Sequence, residues 1–74
     1  MGPSLSDAAI TARIKAKLLA DSSMNGSQVN VDTAEGQVTL SGRVTTVGQK
    51  GTAEKVALET AGVRRVVNNL QIGG

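Results

Sequence analysis

The stretch from Gln28 to Val44, QVNVDTAEGQVTLSGRV, alternates apolar and polar residues on both sides of a single central glycine. A strand turns successive side chains to opposite faces, so Val29 and Val31 line up with Val38, Leu40 and Val44 on one side. Gln28, Asn30, Asp32, Gln37, Thr39, Ser41 and Arg43 take the other side. Between the two runs, Ala34-Glu35-Gly36 supplies a glycine-containing hairpin loop. The spacing therefore predicts an antiparallel pair with one wet face and one apolar face that something else must cover.

The cover comes from helices. Ser6 offers an N-cap hydroxyl before DAAITARIKAKLLA, which predicts a first helix over residues 7–20 with Ile10, Ile14 and Leu18 as its large apolar stripe. Ala9, Ala12 and Ala16 form a second, small-residue side that leaves room for another helix to approach closely. After turn-forming residues 21–27, the hairpin and Thr45, a second helix is expected from about 47 to 61, with Ala53, Val56, Ala57 and Thr60 at helical spacing and Gly62 at its stop. A third strand follows, about residues 64–72, with Val66, Leu70 and Ile72 on one face and Arg65, Val67, Asn69 and Gln71 on the other. Asn68 falls among the apolar residues and reads as a structural amide that satisfies nearby backbone at a sheet edge.

The order is α-β-β-α-β. The expected class is α+β: a two-layer sandwich with a three-stranded mixed sheet and both helices on one face. A crossover through the second helix sets strand three parallel to strand two, which becomes central if the two are neighbours. Residues 6–72 make one domain. Met1-Gly2-Pro3-Ser4 reads as a cloning leftover, with 1–5 outside the domain and Gly73-Gly74 as a tail.

Composition then removes whole classes of chemistry. The 74 residues include no cysteine, no histidine and no aromatic residue. Thiolate and imidazole catalysis, the usual zinc ligands and the stacking platforms of single-strand nucleic-acid binders are all missing. The six Asp and Glu residues are scattered. An enzyme is not expected, nor is a cofactor, a metal or nucleic acid. The net charge of +2 allows weak attraction to anionic surfaces without demanding it.

Gly48-Gln49-Lys50-Gly51 raises a sharper question. A KH-type GxxG loop needs a helix between strand and loop, and only Thr45, Thr46 and Val47 intervene here; a Walker loop needs a different order. What remains is a capping box, Thr46 with Gln49, opening a helix that two glycines weaken by about 1 kcal/mol each. Free N–H groups there, beside Lys50, form a candidate phosphate contact.

Gly36-x-Val38-x-Leu40-x-Gly42-x-Val44 and Gly62-Val63-x-x-Val66-x-Asn68-x-Leu70, behind a helix DAAITARIKAKLLAD, together resemble the BON domain. The resemblance spans about residues 6–72. It implies an αββαβ fold, a bacterial envelope setting, periplasmic or outer-membrane-associated, and a role in phospholipid binding and osmotic protection. It implies no catalytic motif. The Gly48/Gly51 pair departs from the family's more polar helix start.

The leading expectation is a module that touches anionic phospholipid headgroups through Arg13, Lys15 and Lys17, with Gly48, Lys50 and Gly51 as a second contact. Residues two apart on a helix point about 200° apart, so Arg13 pairs with Lys17 on a flat surface and not with Lys15. Such binding is weak and salt-sensitive, and a second BON domain or an anchor would reinforce it. The alternative is a protein-interaction or scaffolding domain, for which exposed Val67, Leu19, Leu58 and an open sheet edge are the features.

Overall fold

The computed structural model describes residues 6–73; the leftover assigned to 1–5 and the terminal Gly74 lie outside them. The elements are α1 (Asp7–Ala20), a 3-10 turn (Ser22–Met24), β1 (Gln28–Ala34), β2 (Gln37–Val44), α2 (Val47–Leu58), β3 (Arg65–Asn68) and β4 (Gln71–Ile72). Their order and the mixed sheet agree with the α+β reading. β2 is central, antiparallel to β1 and parallel to both β3 and β4.

Local chemistry sets the first helix. The Ser6 hydroxyl accepts the Ala9 N–H at 3.2 Å, Ile10, Ile14 and Leu18 are buried, and Asp21 leaves the helix in an extended conformation. These side chains meet Val31, Val38, Leu40, Val44 and Leu70 in one core. Each large apolar side chain buried this way contributes about 1.5–3 kcal/mol. The small residues that face this core belong to α2: Ala53 and Ala57 are fully buried, whereas Ala12 and Ala16 of α1 are exposed. No helix covers Ala12 and Ala16, because α1 uses its isoleucine side for packing, while Ala9 is half-buried.

The hairpin is tighter than its sequence shows. Ala34 pairs with Gln37, which leaves Glu35-Gly36 as a two-residue loop with φ of 51° and 80°. Positive φ at both positions is the turn whose twist matches the strands. Glu35 tolerates it because the Asp7 carboxylate accepts the Glu35 N–H at 3.0 Å and the Gly36 N–H at 3.3 Å. The start of α1 is thereby tied to the turn.

Two boundaries differ from expectation. Helix α2 ends at Leu58 instead of about residue 61: the Thr60 hydroxyl donates to the Val56 carbonyl, and the Thr60 and Val63 N–H groups make tighter turns back to Ala57 and Thr60. The third strand is one rail in constant register broken into two, with Asn69 and Leu70 between β3 and β4. The break lies opposite Ser41 and Gly42, where Gly42 has a φ of 108° while its pairing with Val29 of β1 continues. Gly73 extends this rail, its N–H donating to the Val44 carbonyl at 2.9 Å.

Candidate functional site

The structure separates the two groups of candidate contacts. Lys17 extends toward α2, its ammonium 3.4 Å from the Thr60 hydroxyl, just past the end of α2. Gly48, Lys50 and Gly51 lie at the other end of that 12-residue helix, about 18 Å away along its axis. They do not form one patch.

The start of α2 turns out to be braced rather than frayed. The Thr46 hydroxyl accepts the Gln49 N–H at 3.1 Å, as a capping box requires. The Gln49 side chain does not return the bond to the Thr46 N–H but reaches one residue further back. Its Oε1 accepts the Thr45 N–H at 2.7 Å and the Thr45 hydroxyl at 3.0 Å, and its Nε2 donates to the Ser23 and Asn25 carbonyls at 3.0 and 2.8 Å. Gln49 is 7% exposed while its partners Thr45, Ser23 and Asn25 are exposed residues, so these bonds are partly shielded from water. The sequence marks Gln49 as a cap but not as the tie between α2 and the loop after α1. The flanking glycines need no special backbone: a methyl group at Gly51 would meet nothing within 4 Å.

Asn68 behaves as a structural amide. Its Nδ2 donates to the Lys50 carbonyl at 3.0 Å and to Glu54 Oε1 at 3.2 Å, and its Oδ1 accepts the Leu70 N–H at 3.1 Å. The Asn69 and Gly73 N–H groups point to β2, so the Leu70 N–H points to the outer edge, where Asn68 occupies it. The third-strand edge is blunted there, and Val67 is half-buried rather than exposed. Arg64 serves the hairpin turn: its N–H donates to the Gly36 carbonyl at 2.8 Å. Its aliphatic stem fills the space beside Gly36, where a Cβ would come within 2.7 Å of it.

Helix α1 carries the unexpected surface. Turning 100° per residue, the side opposite Ile10, Ile14 and Leu18 bears Ala8, Ala12, Ala16 and Leu19, all exposed. Leu19 is 87% exposed. The helix is thus apolar on its buried side and apolar again on its outer side, with exposed Arg13 on one flank of the outer stripe and exposed Lys15 on the other. Below Lys15 and Leu19 opens a groove of about 450 Å³ floored by Leu18, Met24 and Val29. Asp21 at its rim accepts from the Ser23 N–H and hydroxyl, and these two bonds hold its carboxyl below its ordinary value of 3.8.

The family pattern can now be set against this geometry. The BON domain family matches residues 6–74. The chain belongs to the BON domain family. Among curated proteins, osmotically-inducible protein Y of Escherichia coli (strain K12) is 45% identical over 65 residues, covering 88% of this chain. That alignment takes in 32% of the relative, so the chain spans about a third of its length. The BON glycines at 36 and 42 are accounted for by the turn and by the close β1–β2 approach, and neither reaches the outer surface of α1. No helix of the described residues is long and apolar enough to cross a membrane.

Proposed function

We propose that this BON domain is a non-enzymatic module of the bacterial envelope that associates weakly with anionic phospholipid surfaces, in a setting of osmotic stress or membrane integrity. The observation that carries the reading is the outer stripe of α1: Ala8, Ala12, Ala16 and Leu19 exposed between the flanking cations Arg13 and Lys15. A helix of this kind lies in the interface plane, its apolar side dipping among the headgroups. Arg13 and Lys15 then reach the phosphates from opposite flanks by extending their long stems. With Leu19 facing the bilayer, the wide angle between Arg13 and Lys15 becomes useful. Each cation near an anionic leaflet adds about 1 kcal/mol, so a single domain binds weakly and gains from a second copy. The osmotic setting rests on the name of the Escherichia coli relative.

The test is sedimentation with phosphatidylglycerol vesicles, against phosphatidylcholine vesicles, at low and high salt. Binding should require the anionic lipid and fall with ionic strength. Leu19→Glu should abolish it without moving the thermal midpoint, because Leu19 contributes nothing to the core. Undiminished binding by Leu19→Glu would overturn the reading.

A further inference from the structure

The sheet face turned away from both helices carries a second ordered surface. Register aligns Gln28, Arg43 and Gln71 in one row and Asn30 with Ser41 in the next, and Asn69, in the break between β3 and β4, lines the same groove. Strands are ~4.8 Å apart and alternate residues ~6.8 Å apart, so six polar groups cover a flat area about 10 Å wide. They line an open groove of about 550 Å³, and no carboxylate or apolar side chain is among its walls. None of the six enters a side-chain hydrogen bond among the described residues. The amides turned toward the helices differ: those of Gln49 and Asn68 are occupied by protein partners.

Four carboxamides present four carbonyl acceptors as well as four NH₂ donors. Phosphate oxygens accept only and would leave the carbonyls unused. Vicinal hydroxyls use both. Arg43 adds one fixed positive charge at the centre of its row, and its stem rests beside Gly73, where a Cβ would come within 3.0 Å of Arg43 Cδ. We infer that this face binds an acidic glycan, a sugar chain whose hydroxyls meet the amides and Ser41 while a ring carboxylate pairs with Arg43. One or two pyranose rings cover the area. Without aromatic stacking the affinity is in the millimolar range per site, as exposed hydrogen bonds dictate.

This inference stands apart from the lipid reading, since α1 lies on the opposite layer. The experiment is an amide NMR titration of the whole ¹⁵N-labelled chain with trigalacturonate, with neutral cellotriose, and with phosphatidylglycerol micelles. Trigalacturonate should shift residues 28, 30, 41, 43, 69 and 71, with a preference over cellotriose of about fivefold. Arg43→Gln should bring that preference near one while keeping the cellotriose response, and its own spectrum reports whether the fold is intact. Leu19→Glu should leave the saccharide shifts unchanged. Silence at the six positions, an acid preference that survives Arg43→Gln, or shifts there with micelles alone would each overturn the glycan site.

Discussion

Gly42 and Gly51 are the same residue in opposite circumstances. A Cβ at Gly42 would lie 2.1 Å from the Gln28 carbonyl oxygen, in a backbone conformation with φ of 108°. A Cβ at Gly51 would touch nothing within 4 Å, on an ordinary helix. The first glycine lets β1 come close to the central strand and marks where the third rail breaks. The second only weakens α2. The difference teaches that a glycine in a sequence motif has meaning through what approaches it, which a spacing such as GxxG does not reveal.

Gly42→Ala should break the comparison most visibly, since both the contact with backbone and the positive φ oppose it. We expect a loss of about 3–5 kcal/mol in urea unfolding, enough to leave much of a small domain unfolded. A loss under about 1 kcal/mol would mean that β2 relaxes freely and that the close approach is not required.

Gln49→Ala should follow, at about 1–2 kcal/mol, because it removes the partners of the Thr45 N–H and of the Ser23 and Asn25 carbonyls at a part-buried junction. Hydrogen exchange sharpens the point: Thr45 and the first turn of α2 should lose protection before the centre of β2 does. Uniform loss of protection would show that Gln49 supports the whole fold rather than this junction.

Gly51→Ala should act in the other direction, raising stability by about 1 kcal/mol through helix propensity alone. A loss instead of a gain would reveal a contact at the start of α2 that its open surroundings do not show.

The smallest effect concerns Asp21. Its folded pKa is depressed, so its contribution is present above the unfolded value and disappears as pH falls through the folded one, below 3.8. Thermal midpoints measured by circular dichroism across that acid range should fall slightly more for the wild type than for Asp21→Asn. Parallel curves would mean that the Ser23 bonds persist equally in the unfolded chain.

Helix α1 was legible to the residue because its signals are local: a serine cap, a continuous apolar stripe and a turn at Asp21. The alternating hairpin was legible for the same reason, and so was the role of Asn68. The end of α2 was not, since its last turn competes with the Thr60 hydroxyl and the tight turns after it. Among the candidate contacts, the sequence singled out the basic residues of α1 and noticed Leu19 as off-stripe. It did not join Leu19 to Ala8, Ala12 and Ala16, because an alanine side reads as packing surface until the partner helix is seen elsewhere. Arg43 passed unnoticed, as any lone arginine on a wet strand does.

The sequence by itself determined the αββαβ order, the inner faces of the strands and the buried stripe of α1, because period and capping act over a few neighbouring residues. Tertiary structure alone decided which strand is central, where the third rail breaks, that Asp7 holds the hairpin turn and Gln49 the helix junction. It also decided which outward side chains stand in rows. Those outcomes depend on register between segments far apart in the chain, and a one-residue slip, invisible in any local pattern, would rearrange every one of them.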